Sequence, residues 1–240
     1  MIKLEDFLKK YDIKKAKKLE HLDPQFLALQ NCRNSIKNKN ENLFVYLVIQ
    51  CALVSYQIAW SGELWRTEFW KKVEKDRNIL QDMWKKWENN SGWRLDFLKN
   101  SKNNKRIYNI KKSRLDKLDN ILKTENDFLK YGNNLEKYNE ILAKTMNTTT
   151  YSKTIVFAIK MFGYAYTIIT WKDIKYPMSI NIPVDSRLKK IYLLDTKAVS
   201  EKNQTLEISK YFWNLSKKFD IPPLDLDAIL RLDYRKYIQQ

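Results

Sequence analysis

The chain has 240 residues, and its 45 Lys and Arg against 28 Asp and Glu give a formal net charge of +17, which favours a polyanionic partner. Two cysteines and a single histidine exclude a zinc site or an iron–sulfur cluster with four Cys and His ligands, and the four glycines lie too far apart for a P-loop or a dinucleotide-binding motif. Any chemistry must therefore use Lys, Asp, Glu or Tyr side chains, or an acquired metal.

The N-terminal segment is predicted to form two helices. Leu4–Leu19 alternates charged and aliphatic residues without a continuous apolar region, so we expect an amphipathic helix and not a secretory signal. Asp23 followed by Pro24 is typical of a helix N-cap with proline at the first helical position, and the next helix is predicted over Gln25–Ile36.

The most apolar stretch of the chain, Leu43–Trp60, approaches the length of a membrane span. Three polar residues interrupt it: Gln50, Ser55 and Gln57. We therefore predict a buried core helix over Leu43–Ala59, with a membrane segment as the alternative. Two cysteines without a disulfide framework suit a reducing compartment, and we expect a cytoplasmic protein without a membrane partner.

The remainder of the chain has a helical composition, rich in Leu, Lys, Glu and Ile and poor in Gly and Pro. A Trp-rich run covers Glu63–Trp87, and Lys99–Lys117 holds eight Lys or Arg residues with one acidic residue. No segment alternates with the period of a β-strand. The sequence predicts an all-α protein, a single domain over residues 1–240 with two helical lobes, in which the first and last segments pack together. Further helices are predicted over Lys111–Leu122, Leu135–Thr145, Lys153–Tyr166, Asp185–Leu194, Gln204–Phe219 and Leu224–Leu232.

The segment Thr150–Arg187 contains the residues best suited to chemistry. Lys153, Phe157, Lys160 and Tyr164 follow helical spacing and share one face. Lys153 falls in the first helical turn, where the positive end of the helix disfavours an ammonium group, and burial or the second cation Lys160 would act in the same direction. Such a lysine can serve as a nucleophilic amine. The alternative is that both lysines contact phosphates or are merely solvated.

Asp185 occupies the entry to another predicted helix. Its carboxylate can accept backbone N–H groups as an N-cap, which favours the ionised form. Most aspartates at such positions are only caps. Helical periodicity does not reveal whether Asp185 and Lys153 meet in space.

Two motifs taken together resemble those of the archaeal 8-oxoguanine DNA glycosylase family, a branch of the helix–hairpin–helix glycosylases. They are SKTIVFAIKMFGYA at residues 152–165 and INIPVDSR at residues 180–187; shorter similarities are DPQF at 23–26, CALVSYQ at 51–57, GELW at 62–65 and IPPL at 221–224. The resemblance implies an all-α fold of two helical subdomains with the active site between them. The Gly-containing hairpin of other superfamily members is absent before Lys153.

By position, the resemblance assigns Lys153 as the catalytic nucleophile and Asp185 as the catalytic carboxylate. The implied enzyme is a bifunctional DNA N-glycosylase and abasic-site lyase. Its lysine attacks C1′ of an extruded nucleotide, releases 8-oxoguanine and forms a Schiff base, and β-elimination then cuts the strand. The carboxylate stabilises positive charge on the sugar. No metal or other cofactor is required, and the implied partner is DNA containing 8-oxoguanine, double-stranded or also single-stranded. We expect a monomer.

The resemblance also implies a pocket for the extruded base, formed by Gln25, Trp65, Phe157, Lys160 and Asp227. A flipped purine needs apolar faces for stacking and polar groups for its edges. Phe157 suits stacking, and Gln25 and Asp227 suit the base edges. Trp65 offers both a ring and an N–H donor. The alternative for the aromatic residues is ordinary core packing.

One base-pocket position departs from the family's pattern. Four residues after Asp227, where the family has an aromatic residue, this chain has Arg231. On a helix Asp227 and Arg231 share a face, so that Arg231 can stack on the base, pair with Asp227 or bind a phosphate.

The competing interpretation of the whole chain is a non-catalytic, basic helical protein that binds nucleic acid by phosphate contacts and aromatic stacking. It explains the charge but gives no reason for the Lys153 and Asp185 motifs together. A peripheral membrane protein with a basic N-terminal helix is a weaker alternative. In the glycosylase interpretation, some of the cations in Lys99–Lys117 contact DNA phosphates; otherwise this run is a solvated linker.

Overall fold

The computed structural model describes residues 3–35, 41–59, 62–78, 80, 91–124, 127–199 and 204–234, and within these residues it contains helices and no β-strand. The all-α prediction is therefore confirmed for the described residues. A 3₁₀ turn covers Leu129–Asn133, and a π-helical turn, Leu230–Tyr234, extends the last helix. In chain order the α-helices are α1 Leu4–Leu8, α2 Ile13–His21, α3 Pro24–Ser35, α4 Glu41–Leu53, α5 Gly62–Lys75, α6 Ser91–Asn100, α7 Tyr108–Thr124, α8 Leu135–Thr145, α9 Lys153–Thr170, α10 Ser186–Thr196, α11 Thr205–Phe219 and α12 Pro223–Ile229.

The predicted single helix Leu4–Leu19 is wrong, because the chain forms two helices there. α1 and α2 are separated by a break that ends at Asp12, whose backbone is extended. The Asp12 carboxylate accepts a hydrogen bond from the backbone N–H of Lys15 at 2.7 Å and so caps α2. Asp12 is therefore a helix start inside the segment that the charge pattern predicted as one helix.

The core helix α4 ends at Leu53, earlier than the predicted Ala59. Its residues 43–53 are all buried. Beyond its end the Ser55 hydroxyl donates to the Cys51 carbonyl at 2.5 Å, and Gln57 adopts a left-handed backbone with φ of 46°, which a continuing α-helix does not allow. Among the described helices, none is long and apolar enough to cross a membrane.

Other helix predictions agree closely with the structure. α8 has the predicted bounds, α9 begins at the predicted Lys153, and α3 begins at Pro24 with the Asp23 carboxylate accepting the Gln25 N–H at 2.8 Å. α6 was not predicted. Ile36 and residues 81–87, the last part of the Trp-rich run, lie outside the described residues.

The buried apolar residues form two clusters. The larger one surrounds α4 and α9, which pack against each other. The smaller one joins α1 to α10, α11 and α12, so that Leu4 and Phe7 lie in the same cluster as Phe212 and Tyr234. The first and last segments therefore pack together, as expected. Helices of both clusters contribute to the cavity described next.

Candidate active site

A cavity of about 510 Å³ opens at the N-terminal end of α9. One wall comes from the segment after α4, from α5 and from the first turn of α9; the other comes from the entry to α10 and from the end of α12 with the following π-helical turn. Its lining residues are Ser55, Tyr56, Gln57, Ile58, Gly62, Arg66, Lys153, Thr154, Phe157, Pro183, Asp185, Ser186, Arg187, Asp227 and Arg231. Both motifs that suggested catalysis thus meet at one cavity.

Lys153 is the first residue of α9 and lines this cavity. Its side chain is exposed, so burial, one of the influences considered for this lysine, does not act on it. Ser152 precedes it at the N-cap position without a side-chain hydrogen bond to a backbone N–H of the helix, although its hydroxyl lies 3.3 Å from that of Thr154. Lys153 thus stands at the positive end of α9. An exposed amine at the mouth of a cavity is accessible to a large substrate.

Asp185 enters the cavity from the opposite wall. It is the N-cap of α10, as predicted, and its carboxylate accepts the Leu188 N–H at 3.0 Å. The side chain of Arg187 lies on its other side, with an NH2–Oδ2 distance of 3.3 Å. About a third of the Asp185 side chain, 32%, remains exposed. The cap therefore fixes the carboxylate without removing it from the cavity.

Asp227 is the most strongly held carboxylate of the site. It is buried at the end of α12, where Oδ2 accepts from Lys160 Nζ and Oδ1 accepts from Arg187 at 2.7 Å. Burial alone would raise the pKa of Asp227, but the charges of Lys160 and Arg187 outweigh it and lower the pKa well below its usual range. Asp227 is thus an ionised group inside the protein, as a hydrogen-bond acceptor for a base edge would need to be.

A second, very small cavity of about 10 Å³ lies beside the first and shares Arg66 and Phe157 with it. Gln25 lines this small cavity with only 4% of its surface exposed. Within the described part of the chain, neither Nε2 nor Oε1 of Gln25 has a hydrogen-bond partner. Arg66 lies over the Phe157 ring, 5.5 Å from its centroid. A buried amide without partners is costly unless a ligand or water supplies them, which makes Gln25 a candidate binding group.

Trp65 lies deeper than the other predicted base-pocket residues. Its side chain is 1% exposed and stacks on Phe97 with ring centroids 5.4 Å apart. Its indole N–H donates to the Ser55 hydroxyl at 2.9 Å. Trp65 is not among the residues that line the two cavities. Its hydrogen bond instead supports Ser55, which lines the larger cavity.

Arg231 lines the larger cavity from the π-helical turn and pairs with a partner that the sequence did not suggest. Its NH2 group donates to Asp23 Oδ1. Asp23 is 0% exposed and also accepts from the Tyr164 hydroxyl at 2.9 Å. The ion pair ties the last described turn of the chain to the start of α3.

The basic run Lys99–Lys117 is divided between the interior and the surface. Lys111 is buried and donates to Asn104, so our expectation of a phosphate contact does not hold for this residue. Arg114 donates to the Leu53 carbonyl at 3.2 Å, and Lys112 pairs with Asp116 at 2.6 Å. Lys102, Lys105 and Arg106 are exposed in the loop between α6 and α7.

Sequence analysis missed three charged residues of the site: Asp23, Arg66 and Arg187. Arg187 stands in the INIPVDSR motif and Asp23 in DPQF, so the motifs contained them without indicating their contacts. Arg66 follows Trp65 in α5 with no signal of its own. Within the described ranges, no group of three or more His, Cys, Asp or Glu side chains is arranged to hold a metal ion.

Comparison with known proteins gives concordant matches. A sequence profile of a family described as N-glycosylase/DNA lyase matches residues 5–236. The N-glycosylase/DNA lyase of Methanococcus maripaludis is 38% identical over 227 residues, which cover 92% of this chain and 82% of the relative. The enzyme of the same name from Nanoarchaeum equitans is 36% identical over 225 residues, covering 93% and 86%.

A solved structure shares the fold. The crystal structure of the 8-oxoguanine DNA glycosylase from Pyrobaculum aerophilum, in complex with 8-oxoguanosine, superposes with a TM-score of 0.76 and 24% sequence identity. The match covers 94% of this chain and 84% of that chain.

Proposed function

The chain belongs to the N-glycosylase/DNA lyase family, and on that premise we propose that it excises 8-oxoguanine from DNA and cuts the resulting abasic site through a Schiff base on Lys153. The observation that supports this proposal is the convergence of Lys153 and Asp185 on one cavity, beside the buried and unpartnered amide of Gln25. The whole chain acts as one glycosylase domain, as a monomer and in the cytoplasm. Its substrate is double-stranded DNA, and single-stranded DNA is the alternative substrate form.

The first chemical step is base release. The Lys153 amine attacks C1′ of the extruded nucleotide, the bond between C1′ and the base breaks, and its electron pair leaves with the base, which takes up a proton. The sugar carries positive charge as this bond breaks. Asp185, fixed by the N–H of Leu188 on the opposite wall, stabilises that charge as a preorganised carboxylate.

The second step is strand cleavage. The nitrogen lone pair then forms a C1′=N bond as the C1′–O4′ bond breaks, and the ring oxygen takes up the proton that the amine loses, which leaves an open sugar and a Schiff base on Lys153. Removal of a proton from C2′ then breaks the bond from C3′ to the phosphate oxygen by β-elimination. The exposure of Lys153 agrees with this role, because the amine must reach a sugar that stays attached to the DNA backbone.

The base itself occupies a pocket formed by the walls of the small cavity and the adjoining charged groups. Phe157 stacks on the purine, the Gln25 amide pairs with one base edge, and Lys160 and Asp227 present a donor and an acceptor to another. Arg231 lies beside the base in place of the family's aromatic residue. Trp65 does not contact the base and contributes indirectly, by a hydrogen bond from its indole N–H that holds the Ser55 hydroxyl.

The decisive experiment is borohydride trapping on duplex DNA that contains 8-oxoguanine. The wild-type protein should form a covalent adduct, Lys153→Gln should form none, and Lys172→Gln, an exposed lysine just beyond the other end of α9, should react like the wild type. A wild-type protein that binds the DNA without forming an adduct would favour the non-catalytic alternative. An adduct with Lys153→Gln would move the nucleophile elsewhere, first to Lys160.

Asp185→Asn tests the carboxylate separately. It should bind lesion DNA almost as well as the wild type but release the base about 10²-fold more slowly or worse, because a preorganised charge acts mainly in the transition state. Undiminished base release would exclude Asp185 from the reaction.

A further inference from the structure

Arg187 connects the two carboxylates of the site. Its NH2 group lies 2.7 Å from Asp227 Oδ1 and 3.3 Å from Asp185 Oδ2, and its Nε lies 3.4 Å from Asp185 Oδ1. One carboxylate belongs to the end of α12 and the other to the N-cap of α10. A single guanidinium therefore bridges the base pocket and the proposed catalytic carboxylate.

Each of the two carboxylates has one partner of its own and shares Arg187 with the other. Asp227 uses Oδ2 for Lys160 and Oδ1 for Arg187. Asp185 accepts the N–H of Leu188 on Oδ1, and Arg187 contacts both of its oxygens, Oδ1 through Nε and Oδ2 through NH2. If Arg187 were absent, each carboxylate would keep one partner, but the side chain that joins the two would be gone.

The chemistry of arginine explains why this position suits it. A planar guanidinium presents several N–H donors in a fixed fork and can contact two carboxylates at once, whereas a lysine ammonium acts as a point charge on a flexible stem. Burial would lower the pKa of Arg187, but the charges of Asp227 and Asp185 outweigh it and raise the pKa above its usual value. The bridge is therefore permanently charged.

We propose that Arg187 is a positioning residue that holds Asp185 in register with the base pocket. The inference rests on the proposed function, since it assigns Arg187 a task in the same reaction. When the base lies against Asp227 and Lys160, the Arg187 bridge sets where the Asp185 carboxylate meets the sugar. Arg187 itself acts through Asp185 and is not assigned a bond to the reacting atoms. Small errors in such a position are costly, because a displacement of about 1 Å can slow a reaction about 10²-fold.

The test compares Arg187→Lys with Lys190→Arg, a matched exchange at an exposed position of the same helix. Single-turnover release of 8-oxoguanine and the dissociation constant for lesion DNA are measured for both. Arg187→Lys should release the base about 10- to 100-fold more slowly, with DNA affinity and melting temperature close to those of the wild type. Lys190→Arg should match the wild type in all three. A loss that appears only as weaker DNA binding would overturn the proposal and assign Arg187 to a phosphate.

A double-variant cycle shows whether Arg187 acts through Asp185. In an Asp185→Asn background, Arg187→Lys should add little further loss, because the group that it positions is already disabled. The same loss in both backgrounds would refute the positioning role. If wild-type protein itself releases no 8-oxoguanine, the proposed function fails; if it does and Arg187→Lys is equally fast, only the present inference fails.

Arg187→Ala provides a second route in case the lysine variant folds poorly. Millimolar guanidinium ion should restore part of its base release, whereas sodium chloride at the same ionic strength should not. Absence of rescue in a folded Arg187→Ala protein that still binds DNA would count against the proposal.

Discussion

Replacing Arg231 by methionine tests the ion pair between Arg231, which lines the larger cavity, and Asp23. The substitution keeps much of the aliphatic length of the side chain and removes the charge. Its partner Asp23 is fully buried and would lose its cation. A buried carboxylate without a counter-charge is strongly destabilising, and we expect the free energy of unfolding to fall.

The size of the loss follows from the contacts that remain. Breaking a buried ion pair by removing one partner costs about 3 to 5 kcal/mol. Asp23 would keep two hydrogen bonds, from the Tyr164 hydroxyl at 2.9 Å and from the Gln25 N–H at 2.8 Å, which continue to stabilise the charge. We therefore expect a loss at the lower end of that range, about 3 kcal/mol.

Urea unfolding at neutral pH measures this loss. The exposed control Arg106→Met should change stability by less than about 0.5 kcal/mol. Adding Asp23→Asn to Arg231→Met should recover part of the loss, because the buried charge is then gone as well. A cost of Arg231→Met below about 1 kcal/mol would refute the view that Arg231 is the counter-charge of a buried Asp23.

The same variant has a catalytic consequence. If Arg231 also stacks on the extruded base, Arg231→Met should slow 8-oxoguanine release by about 1 to 3 kcal/mol and leave incision at a preformed abasic site unchanged. Equal losses on both substrates would instead assign a structural or phosphate-binding role. Arg231→Trp, which restores the aromatic residue expected of the family, should recover base release but not stability, because Asp23 stays uncompensated.

Two further predictions concern DNA binding and pH. Lys105 and Arg106 are exposed between α6 and α7, and changing both to Ala should reduce the slope of log affinity against log salt by about 1.8, whatever the DNA sequence; an unchanged slope would place this loop away from DNA. Burial raises the pKa of Glu20 to about 7 despite its ion pair with Lys17. The stability that the folded protein gains by holding a proton on Glu20 is therefore fully present at low pH and is lost as the pH rises through that value. Glu20→Gln should therefore flatten the pH dependence of urea unfolding between about pH 5 and pH 8, and a profile like that of the wild type would contradict the assignment.

The sequence predicted features that depend on neighbouring residues better than features that depend on residues far apart in the chain. Helix starts that rest on a local cap were found, as at Pro24 and Asp185, because the capping residue is adjacent to the helix. Asp12 is such a cap as well, but its place in a regular charged pattern concealed it. The predicted extension of α4 to Ala59 is ruled out at Gln57 by its left-handed backbone, for which glycine or asparagine would have been the usual signal.

Long-range charge pairs lay beyond sequence reasoning. Arg231 meets Asp23 across a separation of 208 residues, and Arg187 meets Asp227 across 40. No periodicity links such positions, so the shared helical face of Asp227 and Arg231 suggested a pair that the fold does not make. Likewise, helical spacing left open whether Lys153 is a nucleophile or merely solvated, and only the fold shows that this exposed first residue of α9 lines the cavity.

The narrowness of the cavity at Gln25 affects the timing of lesion recognition. About 10 Å³ is roughly the space that one water molecule needs, far less than a purine ring. A purine at the Gln25 amide therefore requires this space to widen, and Arg66 and Phe157 line both it and the larger cavity. The enzyme would therefore meet undamaged and damaged DNA with the small cavity at Gln25 closed, and every extruded base would require the same free energy to open it. Since that opening is a rearrangement within the complex, the rate at which a base enters the small cavity should level off as enzyme concentration rises.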